Sequence, residues 1–231
     1  MTRETLDRKI NDILDGVVEL SSLVEQSILA AVEAMEKKDL VAAKRIYDAD
    51  SQINDMRYML EEKTVGLIAR HQPVASDVRI LTAVLEVITE LERMGDYAKG
   101  VAKVAMLIGE EPYIISTDHF VKMAQSTADM LHRAIKSFID RDEKTAKMIP
   151  DEDEEVDEYY YAIYTDLIKA IASDPLGADQ ANNLLWAAHN IERTADRVTN
   201  ICERTIYIET GLRGDIDTTD DELRKFNRSE K

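Results

Sequence analysis

The chain has 231 residues, 45% of them hydrophobic and 32% charged, with 8 Gly, 4 Pro and only 6% aromatic side chains. So little Gly and Pro excludes collagen-like, Pro-rich and low-complexity chains, and a β-sandwich needs more turn residues than this. Forty-six acidic against 29 basic side chains leave a formal charge of −17, which disfavours nucleic acid and anionic membranes and favours metal cations or basic partner surfaces.

The first residues, Met1 to Lys9, lack the apolar core of an export signal and read as the start of an amphipathic helix. Leu6, Ile10, Ile13, Val17, Val24, Ile28 and Met35 recur at three- and four-residue steps and predict a first helix of about thirty residues. Lys37-Lys38-Asp39 interrupts that stripe. A second helical pattern follows through Ala43, Ile46, Ile53, Met56, Leu60 and Leu67, and Gln72-Pro73 ends it. The third, with Ser76 as its expected N-cap, carries Val78, Leu81, Val84, Ile88, Leu91, Met94 and Val101 until Gly109 and Pro112.

Ser116-Thr117-Asp118 opens a fourth helix through Phe120, Met123, Leu131 and Ile135. Pro150 falls inside the fifth, which is expected to restart there with Pro150 in its first turn. Gly, Asp, Thr and Arg dominate from Gly211, so 211–231 is expected to be a flexible tail. The longest stretch without a charged residue, Gln180 to Ile191, has 12 residues, against the ~18 or more of a membrane span. A lone cysteine, Cys202, forms no intrachain disulfide and fits a reducing compartment, most simply the cytoplasm.

The chain also repeats itself. Ala42–Ile46 matches Thr145–Ile149 at an offset of 103 residues, and Asp142 answers Asp39. Leu91–Asp96 (Leu-Glu-Arg-Met-Gly-Asp) matches Ile191–Asp196 (Ile-Glu-Arg-Thr-Ala-Asp) at an offset of 100, which places a three-residue deletion near Asp174-Pro175. Three helices, twice, with short connections predict an all-α protein of two tandem three-helix bundles, six long antiparallel helices in all. The expected divisions are 1–111, 112–210 and the tail 211–231.

Glu92 and Asp96 stand one helical turn apart on one face, where like charges destabilise a helix by ~0.2–0.5 kcal/mol unless something neutralises them. The pair returns as Glu192 and Asp196. A further pair, Asp153 and Asp157, lies on the preceding helix, with Asp50 and Asn54 as its degraded first-half equivalent. Carboxylates on two neighbouring helices suit hard or borderline ions such as Mg, Mn, Fe or Zn; the same spacing also describes a solvated acidic face.

Arg93 and Arg193 follow each glutamate and are candidates to pair with an acid across the bundle. Asp77 reads as a helix-dipole partner, and His189, three before Glu192, as a hydrogen-bonded interfacial histidine. Trp186, Met94 and Tyr159-Tyr160-Tyr161 read as core or interface anchors. A di-iron enzyme needs Glu-x-x-His on two helices, and only Asp129-x-x-His132 comes near that pattern. Phosphate loops, nucleophile elbows and Cys-x-x-Cys motifs are missing from the sequence, so no catalytic residue is assigned.

Three segments, Arg70–Arg79, Leu91–Lys103 and Asn190–Glu203, together resemble the PhoU family of phosphate-transport regulators, over roughly residues 1–210. That resemblance implies a cytoplasmic, non-enzymatic, negative regulator of phosphate uptake. It further implies metal clusters held by (Glu/Asp)-x-x-x-Asp motifs, with contacts to the ATPase of the phosphate ABC transporter and to a phosphate-sensing histidine kinase. A homodimer is expected from the same resemblance and the apolar stripes. Carried over residue by residue, the expected metal ligands are Asp50, Glu92, Asp96, Asp153, Asp157, Glu192 and Asp196, and Asn200 matches a polar residue after the second motif. Asn54 and Gly100 depart from the pattern and point to a weaker first-half site. A carboxylate-bundle metal-storage or redox protein, and a metal-independent helical adaptor, are the alternative readings.

Overall fold

In the computed structural model, residues 3–212 are described, and their regular structure is helical with no strand among them. The first half comprises α1 (Arg3–Glu36), α2 (Leu40–His71) and α3 (Ala75–Ile108). The second half comprises α4 (Asp118–Asp140), α5 (Glu143–Met148), α6 (Asp153–Ser173) and α7 (Ala178–Thr210). A 3-10 turn over Ile149–Glu152 joins α5 to α6. Counting α5, that turn and α6 as one interrupted helix gives the six helices and two bundles expected. None of the described helices is long and apolar enough to cross a membrane. Of the expected tail, all but Gly211 and Leu212 lies outside the described residues.

The duplication is visible at the level of single dihedral angles. Helix α1 ends in left-handed Lys38 and α4 in left-handed Arg141, each at φ 54°. The next residue then donates its N–H back five positions, Asp39 to the Ala34 carbonyl at 2.9 Å and Asp142 to the Ser137 carbonyl at 2.8 Å. Both aspartates cap the following helix. The Asp39 side chain accepts from the Ala42 N–H at 2.9 Å, and Asp142 from those of Lys144 and Thr145 at 3.1 and 3.2 Å. These bonds satisfy N–H groups that a helix start otherwise leaves unpaired.

Helices α3 and α7 run antiparallel through the middle of the molecule. α3 packs on α1, α2 and α7, while α7 packs on α3, α4 and α6. Their apolar residues therefore point in several directions: Leu81, Val84, Val87, Leu91 and Met94 on α3 and Leu184, Ala187, Val198 and Ile201 on α7 are fully buried. Each such large side chain contributes roughly 1.5–3 kcal/mol, so this core outweighs the surface ion pairs, worth about 0–1 kcal/mol each.

Two local expectations are corrected. Ser76 is not the cap of α3: Pro73 follows left-handed Gln72, Val74 is extended, and the helix starts at Ala75 without a side-chain cap. Pro150 does not open an α-helix directly. It sits in the 3-10 turn, and α6 resumes only at Asp153, because the ring removes an N–H donor from the ladder.

Candidate metal centre

In the first bundle α2 brings Asp50 beside Glu92 and Asp96 of α3. Asp50 is only 5% exposed. Its Oδ2 accepts from Lys99 Nζ at 2.7 Å and from Asn54 Nδ2 at 3.1 Å. Its Oδ1 is buried and has no hydrogen-bond partner among the described residues. Burial, then Asp96 and Asp50, holds the Glu92 carboxyl above its usual range. Burial, then Asp50, does the same to Asp96. Lys99 is held more strongly protonated, first by its hydrogen bond to Asp50.

In the second bundle Asp153 and Asp157 open α6, and Glu192 and Asp196 lie in the middle of α7. Asp196 is raised chiefly by burial, with Asp157 adding to it and Arg197 opposing, so these two predicted carboxylates share one neighbourhood. His189 Nδ1 stands 3.2 Å from Glu192 Oε2; burial, then Arg193, pushes the imidazole toward its neutral form. The counterpart of Lys99 is Thr199, whose buried Oγ1 has no hydrogen-bond partner among the described residues.

Oxygen-only donors fit a hard dication such as Mg or Mn, or Fe. The buried, half-satisfied Asp50 carboxylate and the raised carboxyls of Glu92, Asp96 and Asp196 are what a bound cation relieves. Among the described residues, however, no three His, Cys, Asp or Glu side chains already converge on one point. To hold one ion between them, these acids would have to turn toward each other.

Other predicted residues serve the packing of helices. Asp77 is buried and takes both guanidinium nitrogens of Arg3, at 2.6 and 3.0 Å, so it ties α3 to α1. Arg93 pairs with Glu90 of its own helix at 2.7 Å rather than with an acid across the bundle. Arg193 stacks over the Tyr97 ring at 5.0 Å. His132 faces Glu25 of α1 at 3.4 Å and Asp129 pairs with Arg133, so that near-motif does not face the carboxylate clusters. Met94 is core, whereas Trp186 is 41% exposed beneath Lys103.

The α3–α7 seam repeats with pseudo-twofold symmetry. Asn200 donates to Glu90 at 3.2 Å, while at the equivalent place Asn190 lies against Gly100, where a Cβ would come within 2.8 Å of Nδ2. Gly100 is thus a site of close helix approach. Lys99 was not singled out from the sequence. The available signal was its position three residues after Asp96, on the same helical face, with Thr199 opposite it in the second repeat.

The PhoU domain model matches residues 17–105 and 120–205. The PhoU homolog of Clostridium acetobutylicum, a phosphate-specific transport system accessory protein, is 30% identical over 217 residues, covering 94% of this chain and 99% of the relative. Its namesake in Edwardsiella tarda is 33% identical, covering 91% and 86%. Among solved structures, the phosphate transport system regulatory protein PhoU of Streptococcus pneumoniae superposes with a TM-score of 0.85 at 28% identity, covering 91% of this chain and all of that one. PhoU of Pseudomonas aeruginosa gives 0.84 at 28%, covering 89% and 99%. With both repeats matched, the same two-bundle fold and near-complete coverage, this chain belongs to the PhoU family.

Proposed function

We propose that this protein is a non-enzymatic negative regulator of phosphate uptake, which docks on the ATPase of a phosphate ABC transporter and signals to a phosphate-sensing histidine kinase. The observation that carries this reading is the end-to-end similarity to phosphate-transport accessory and regulatory proteins. The carboxylates give the regulator its handle. Asp50, Glu92 and Asp96 in one bundle, and Asp153, Asp157, Glu192 and Asp196 in the other, would hold divalent or trivalent ions between pairs of helices. A bound ion supplies positive charge that fixes α2 to α3 and α6 to α7, and so sets the helix faces offered to partners.

The test pairs metal analysis with physiology. Protein purified without chelators is expected to carry stoichiometric metal, and Glu192→Gln with Asp196→Asn to lose metal together with repression of phosphate uptake. Unchanged metal content and repression in that variant would sink the reading. Association with the transporter ATPase that is salt-sensitive but indifferent to metal would instead favour a metal-independent adaptor.

A further inference from the structure

The first-bundle cluster already contains a cation. We propose that the Lys99 ammonium is an internal counter-ion for Asp50, Glu92 and Asp96, so that the second bundle takes up metal first and the first bundle only when Lys99 withdraws. This rests on the metal reading above and deepens it, because it makes the two repeats unequal sites.

Three observations carry the proposal. Lys99 Nζ is 2.7 Å from Asp50 Oδ2; its side chain is only 32% exposed and its ammonium lies over the Tyr47 ring, 5.3 Å from the ring centre, so two contacts hold it at the cluster. Asn54 turns an amide donor onto the same oxygen, where the second repeat has the carboxylate of Asp157. Asp50 is nine-tenths buried and keeps Oδ1 without a hydrogen-bond partner among the described residues, so the cluster still has an oxygen to offer. An ammonium and a dication at hydrogen-bonding range repel strongly at the dielectric of a protein interior, and the two therefore compete for Asp50. Thr199, in the equivalent place, brings no charge.

The experiment titrates Mn²⁺ into chelator-treated full-length protein by calorimetry. The wild type is compared with Glu192→Gln/Asp196→Asn, with and without Lys99→Met. Disabling the second bundle is expected to weaken Mn²⁺ binding at least tenfold, and adding Lys99→Met to restore at least tenfold tighter binding at the first bundle. Asp50→Asn should abolish that restoration. Lys99→Gln, which keeps a donor for Asp50 but removes the charge, should behave like Lys99→Met and serves if the methionine variant does not fold. Affinities within twofold, with and without Lys99→Met or Lys99→Gln, overturn the proposal while leaving the metal reading intact if the wild type binds. A wild type that binds no Mn²⁺ overturns both.

Discussion

The two bundles share a backbone but differ in chemistry. Lys38-Asp39 and Arg141-Asp142 adopt the same left-handed turn and cap. The carboxylate faces nevertheless diverge: the first bundle has Asp50, Asn54, Glu92, Asp96 and Lys99, and the second has Asp153, Asp157, Glu192, Asp196 and Thr199. The seam between α3 and α7 diverges as well, with Glu90 against Asn200 at one position and Gly100 against Asn190 at its pseudo-symmetric mate. Turn geometry is intolerant because an unsatisfied helix end costs stability in either half. Charges on a partly wet face cost little individually, and so one copy is free to exchange an acid for an amide and enlist a lysine.

The turn similarity breaks most visibly through its capping aspartates. Asp142→Ala should lower the melting temperature by about 2–4 °C, because three donors lose their acceptor. Asp39→Ala should lower it less, since its side chain accepts from one N–H. Thermal unfolding of both variants tests this; equal losses would mean the two caps are equivalent.

At the seam, Gly100→Ala sets about 1–3 kcal/mol of overpacking against Asn190 against about 0.5–1 kcal/mol gained in helix propensity, a net loss of about 1 kcal/mol. In an Asn190→Ala background the clash is gone and the sign should reverse. Urea unfolding of the four proteins measures both numbers, and an unchanged sign would show that Asn190 does not control the approach of the helices.

The smallest expected effect concerns the acidic faces. Asp196 is exposed on α7, yet partial desolvation by the side chains around its carboxyl, with Asp157 adding to it, raises its pKa, so in the metal-free protein its ionised form opposes folding. Asp196→Asn should therefore stabilise the metal-free protein at pH 7, within the ~0.5 kcal/mol usual for an exposed position. That gain should vanish as pH falls through the raised Asp196 value to the ordinary carboxylate range, where both states of the wild type are protonated. Asp142 has the opposite sign. The Thr145 hydroxyl and N–H hold its carboxyl below the usual range, so its contribution is full above the ordinary carboxylate range and is lost as pH falls from that range through its lowered value. Stability curves from pH 3 to 8 that run parallel for the wild type and Asp196→Asn would remove the electrostatic account.

Much of the fold was legible along the chain. Apolar residues at helical spacing, punctuated by Lys37-Lys38-Asp39, Gln72-Pro73 and Gly109, mark helix ends within a few residues, because a helix writes its period and its stops into local sequence. The interruption at Pro150 was visible too, but not its 3-10 form. In that turn Ile149 and Pro150 are buried against α4 and α7, a tertiary contact that the local sequence does not encode. Ser76 misled because capping needs a particular backbone entry, and Pro73 had already set that entry at Val74.

For the site, sequence alone determined which residues are acidic, their one-turn spacing and their recurrence in two repeats, since those follow from the 3.6-residue period and from counting. Tertiary packing decided the rest: that α2 delivers Asp50 to the acids of α3, that Lys99 reaches it, that Asp77 is spent on Arg3 and that His132 faces Glu25. Each of these joins residues on different helices, and the distance between two helices is set by the side chains packed between them, which no spacing along a single helix encodes.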